Sequence, residues 1–146
     1  MSIIFSRQCE YALQAVMYIA SKQNGSLVSS REMTEKLNIP YYFLAKILQD
    51  LAHKGLLESQ KGPFGGFKLA MPPKDIALFD IIEAIDGRNF THSCVLGFKE
   101  CSQTNPCAMH DQWAKSRDGI IDMLTNKNIA EMANKMKKPE YHESAV

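Results

Sequence analysis

The stretch from Ser30 to Lys54 constrains this chain most, because two short amphipathic segments meet there at Asn38-Ile39-Pro40. Proline has no amide hydrogen and a fixed φ, so it closes one helix and suits the first position of the next. The pattern predicts a helix over Ser30–Leu37, capped by Ser29 or Ser30, with Glu32 and Glu35 in its early turns and Met33 and Leu37 inward. A further helix is expected over Pro40–Lys54, stopping at Gly55. It carries Phe43, Leu44, Ile47, Leu48 and Leu51 on one side and Tyr42, Ala45, Lys46, Gln49 and His53 on the other. Two short helices across a tight turn are the pattern of a helix-turn-helix, and equally of a generic helical hairpin. The continuation separates them. Leu56–Ser59 and Phe67–Ala70 read as strands around the turn Gly62-Pro63-Phe64-Gly65-Gly66, and a hairpin behind a helix-turn-helix is a wing.

This arrangement carries DNA-binding expectations residue by residue. A formal net charge of +1 is no nucleic-acid signature, so the case rests on local faces. On the outward face of the recognition helix, Gln49 suits adenine, Lys46 suits guanine or phosphate, and Tyr42 completes the set. Ser29, Ser30 and Arg31 stand where helix-terminal amides and charge meet phosphates. In the wing, Gly65 and Gly66 permit close backbone approach, and Lys61 and Lys68 flank the tip with charge for a phosphate or minor groove.

At 146 residues the chain can bury one core and an appendage. An apolar fraction of 45% with 23% charged residues argues against global disorder. The opening residues have neither a secretory pattern nor an uninterrupted apolar span, so the expected location is the cytosol, with no membrane partner. Ser6 can cap a first helix in which Cys9, Ala12, Leu13, Val16, Met17 and Ala20 recur at helical spacing before Asn24-Gly25. Cys9 shares that apolar phase and reads as a buried structural thiol.

The other cysteines, Cys94, Cys101 and Cys107, are spaced C-x6-C-x5-C, with His110 three residues further on. Thiolates and imidazole suit an iron-sulfur cluster or zinc, and the spacing alone does not choose. In a reducing compartment such clustering points to metal ligation or redox sensing. His92 reads as a solvated loop histidine. No base and oxyanion arrangement surrounds any cysteine, so the chain is not expected to be an enzyme. Beyond the cysteines, Trp113, Ile120, Ile121 and Leu124 leave a partial apolar stripe on a helix over His110–Leu124. Asn128 can cap another helix with Ile129, Met132, Ala133 and Met136 inward.

The residues Ile39-Pro40, Phe43-Leu44, Ile47-Leu48, Leu51, Lys54-Gly55-Leu56, Ser59, Lys61-Gly62, Gly65-Gly66-Phe67 and Leu69-Ala70 resemble the Rrf2 family of bacterial winged-helix transcription regulators. Glu10-Tyr11-Ala12-Leu13 and the segment from Asp75-Ile76 to Asp86-Gly87 extend the resemblance, which reaches about Lys137. It implies a mainly α fold with a small β-hairpin wing, that is, a winged helix-turn-helix plus a long dimerisation helix. The implied divisions are a DNA-binding domain with linking helix over residues 1–87, a cysteine loop over 88–109, dimerisation and C-terminal helices over 110–138, and a disordered tail over 139–146.

The three-cysteine members resemble cluster binders, so Cys94, Cys101 and Cys107 map to thiolate ligands, although the first gap is one residue longer than the commonest family pattern. His110 matches the histidine of members with a 2Fe-2S cluster. The alternative fourth ligand is Glu10, offered by the partner subunit to a 4Fe-4S cluster. His110 and 2Fe-2S are favoured. The implied function is a homodimeric regulator, a repressor by the usual habit of relatives, that binds a double-stranded operator and senses redox state, nitric oxide or iron-sulfur supply. The alternatives within the same fold are a zinc-stabilised regulator and a thiol-disulfide switch.

Overall fold

The computed structural model describes residues 4–22 and 25–135; the expected disordered tail and Met136 lie outside them. Helix α1, Arg7–Ser21, starts at Ser6, whose hydroxyl accepts the Cys9 amide at 3.1 Å. Helix α2, Ser30–Leu37, is capped by Ser29, which accepts the Glu32 amide at 3.1 Å. It ends at Asn38 with φ +53°, a left-handed conformation that asparagine tolerates better than most residues. Helix α3, Tyr41–His53, is one residue shorter at each end than expected. Pro40 has an extended ψ of 132° and therefore caps the helix rather than entering it.

One expected core position moves. Phe43 is 48% exposed and sits edge to face with Tyr42, ring centroids 6.2 Å apart, while Leu44, Ile47, Leu48 and Leu51 are buried. At 100° per residue Phe43 lies about 90° from the centre of the stripe those four define, at its rim. Tyr42, Lys46 and Gln49 lie opposite that centre, and all three are exposed.

Strands β1, Leu57–Gln60, and β2, Gly66–Leu69, pair antiparallel with Leu57 opposite Leu69 and Gln60 opposite Gly66. The hairpin is fastened to the segment before α2, where Val28 and Phe67 exchange backbone hydrogen bonds of 2.9 and 2.8 Å. This approach explains Gly66, because a Cβ there would stand 2.6 Å from the Val28 carbonyl oxygen.

After a 3-10 turn at Pro73–Asp75, helix α4, Leu78–Asp86, packs against α1 and α3. Helix α5, His110–Asn126, follows the cysteine loop, and α6, Ile129–Lys135, follows α5. Asn128 caps α6 as expected, accepting the Glu131 amide at 2.9 Å. The chain returns to its starting body at this point. Leu78 donates to the Lys127 carbonyl at 3.0 Å and Ile129 to the Ile76 carbonyl at 2.8 Å. Ile129 is fully buried in the same core as Val16, Leu44 and Ile81, and α6 packs on α1. No described helix is long and apolar enough to cross a membrane.

Candidate metal centre and nucleic-acid interface

The loop between α4 and α5 is held at both margins. At its start, the α4 end carries Asp86, whose carboxylate accepts the Ser6 amide at 2.9 Å and also the Ser6 hydroxyl, tying α4 to the cap of α1. At its far margin, the Trp113 indole on α5 donates to the Ser93 carbonyl at 2.7 Å, fixing the loop to the helix that follows.

Between these anchors three half-buried thiols converge. The sulfurs of Cys94, Cys101 and Cys107 all lie within 4.8 Å of one another. Cys94 Sγ is 3.6 Å from Cys107 Sγ, and Cys101 Sγ is 3.2 Å from His110 Nδ1. The Cys107 amide donates to Cys101 Sγ at 3.4 Å. All four residues thus meet, although Cys94 and His110 are sixteen positions apart. Burial opposes ionisation of Cys94, but the Phe98 and Leu96 amides and the thiols of Cys107 and Cys101 outweigh it, bringing its pKa down from 9.0 to about 7. Burial, with competition from Cys101 and Cys94 against the Met109 amide, keeps Cys107 above its ordinary value. The loop therefore offers one thiolate readily and holds the others beside it, as metal capture requires.

The donor set fits a soft metal. With metal–sulfur bonds of about 2.3 Å, two tetrahedral ligands on one centre stand roughly 3.8 Å apart, close to the spacing of the Cys94–Cys107 and Cys101–His110 pairs. Glu10 lies on α1 and pairs with Arg7 at 3.8 Å; it is not part of the sulfur group within the chain. Cys9 is fully buried against Ile82 and Leu124. Burial, then the Asp86 and Glu10 carboxylates, push its thiol up to about 12. His92 is exposed and contacts the Thr91 hydroxyl at 3.0 Å.

Apart from the cysteine site, α3 and the wing enclose a groove. Ser29, Ser30, Gln49, Lys61, Gly65 and Gly66 all line it. Arg31 lines a neighbouring depression with Glu35, and Tyr42 and Lys46 project from the exposed face of α3. Two features escaped the sequence reading. Tyr41 is 58% exposed and borders both concavities. Trp113 and Arg117 line the cavity of the three cysteines, and their signal was spacing: they follow His110 by three and seven residues, on one helix face.

A family model described as "Iron-dependent Transcriptional regulator", Rrf2, matches residues 5–135. A protein of Aquifex aeolicus named as an HTH-type transcriptional regulator is 36% identical over 134 residues, covering 90% of this chain and 92% of that protein. Among solved structures, CymR, the global cysteine regulator of B. subtilis, superposes with a TM-score of 0.79 at 22% identity, over 92% of this chain and 98% of that one. T. potens IscR superposes with a TM-score of 0.74 at 23% identity, over 96% and 91%. These two likenesses establish the winged-helix fold.

Proposed function

The chain belongs to the Rrf2 family of transcriptional regulators, and from that premise we propose a homodimeric repressor whose operator affinity follows the state of an iron-sulfur cluster held by Cys94, Cys101, Cys107 and His110. The observation that carries this reading is the convergence of three sulfurs within 4.8 Å of one another, with His110 Nδ1 3.2 Å from Cys101 Sγ. These four residues would hold the group, three through thiolate sulfur and one through imidazole nitrogen. When bound, such a group supplies one-electron chemistry and sensitivity to oxidants and nitric oxide.

The chain's own residues turn that sensitivity into a mechanical effect. Ligation draws Cys94, Cys101 and Cys107 onto one centre and orders the loop by mass action. Trp113 passes that order to α5 through Ser93, and Asp86 passes it through Ser6 to α1, which packs on α3. The relative tilt of two recognition helices must match half-sites about one helical turn apart, so a small shift in α5 alters operator fit. A dimer through α5 is supported by what that helix leaves uncovered. Among the described residues it buries only Leu124, and it exposes Met123 at 53%. On DNA, Tyr42, Lys46 and Gln49 read bases while Ser29, Ser30, Arg31 and the wing residues Lys61, Gly65 and Gly66 meet the backbone.

The test is anaerobic reconstitution followed by absorption spectroscopy, iron, sulfide and zinc analysis, and operator binding with and without cluster. The expected result is a coloured dimer with equal iron and sulfide whose operator affinity changes on cluster loss. His110→Ala should alter the spectrum and Glu10→Ala should not; the reverse would favour a 4Fe-4S centre completed by the partner's Glu10. Colourless protein with stoichiometric zinc would overturn the iron-sulfur reading. A second reading is favoured by the 3.6 Å between Cys94 and Cys107. Without metal these two thiols can yield two electrons and two protons to an oxidant and join, which mass spectrometry after oxidation would detect.

A further inference from the structure

Arg117 stands out in the cysteine site because a nitrogen of its guanidinium is buried without an acceptor among the described residues. It lies on α5, seven residues after His110, on the face that also carries Trp113, and it lines the small cavity formed with Cys94, Cys101 and Cys107. Its Nε is inaccessible to solvent and makes no hydrogen bond among the described residues. A guanidinium stays protonated and can only donate, so a buried N–H left unmet costs about 1–3 kcal/mol, and more for a charged group. This unmet donor belongs to a side chain that shares its cavity with the three sulfurs.

We infer that Arg117 is the counter-charge of the cluster, a positioning residue whose guanidinium stabilises negative charge on the metal-bound sulfurs. This rests on the iron-sulfur reading above. Three thiolates and a neutral imidazole around a 2Fe-2S core of charge 2+ leave a net charge of −1, and one added electron makes it −2. A fixed positive group stabilises the second state more than the first. Arg117 therefore makes the centre easier to reduce and gives its own Nε–H an acceptor once sulfur is ionised. Zinc, held by the same four ligands, would present −1 in every condition and leave no redox signature of Arg117.

The experiment compares the full-length wild type, Arg117→Lys and Arg117→Gln, each reconstituted anaerobically and titrated with dithionite in the presence of mediators while visible absorption is followed. The Gln variant should keep the oxidised spectrum but become harder to reduce. At the wild-type midpoint its reduced-to-oxidised ratio should fall at least about threefold, a shift of about 28 mV at 59 mV per decade. The Lys variant, which keeps the charge, should lie closer to the wild type. A folded Gln variant that takes up no cluster, while the Lys variant does, would support the same role. A midpoint common to all three, or a Lys variant as displaced as the Gln variant, would overturn the inference and leave the cluster assignment standing. A colourless wild type would overturn both.

Discussion

Cys9 and Cys94 are the same functional group in opposed surroundings. The Cys9 thiol is enclosed and pushed up to about 12, while the Cys94 thiol is brought down to about 7. Native, metal-free protein should therefore consume no more than three equivalents of iodoacetamide at pH 8, with the fourth appearing only in denaturant; peptide mapping that found Cys9 labelled in the native state would contradict its burial. The linkage has a definite sign. A folded-state pKa raised from 9.0 means that the Cys9 contribution to stability is complete below pH 9 and is lost as pH rises towards 12. Gly66 is constrained by sterics instead. Gly66→Ala places a methyl group 2.6 Å from the Val28 carbonyl oxygen, so a destabilisation of about 1–3 kcal/mol is expected from chemical denaturation. The sequence marked Gly66 as a close-approach position, but for DNA; that the backbone of Val28 is the approaching surface is a tertiary fact no local pattern contains.

Among the elements, boundaries were legible wherever a side chain completes a cap. Ser6, Ser29, Asn38 and Asn128 each end or begin a helix where their chemistry requires it. Phe43 was misjudged because apolar phase near the rim of a stripe does not decide burial; the facing element does. The convergence of the cysteines with His110 was legible as ligand chemistry, whereas Arg117 was not. Its significance depends on which face of α5 meets the loop, and the Trp113–Ser93 bond helps set that face. Trp113→Phe removes the indole donor and keeps an aromatic ring. It should cost about 0.5–1.5 kcal/mol in global stability, as one hydrogen bond does, but accelerate amide hydrogen exchange selectively between Cys94 and Cys107. Exchange unchanged in that segment would mean the bond does not hold the loop.

For the whole molecule, the groove of α3 and the wing shares no lining residue with the cysteine cavity, so under the proposed function any coupling between them runs through the helices that join them. If Lys61 meets a phosphate in each subunit of a dimer, Lys61→Ala should reduce the slope of log affinity against log salt by roughly two, at about 0.9 per phosphate contact, with little change in sequence preference. An unchanged slope would remove Lys61 from the interface. The backbone pairing of Ala77 with Asn128 makes the polypeptide between them a ring closed by hydrogen bonds rather than by a covalent link. Val95, Leu96 and Phe98 stand exposed on that ring. A chymotryptic nick after Phe98 should consequently leave two complementing fragments that migrate as one particle in native gel filtration and separate only in denaturant, since Ile129 still anchors the C-terminal piece inside the N-terminal one. Fragments that part without denaturant would show that the covalent thread, and not the returning helix, keeps the C-terminal piece attached to the winged helix.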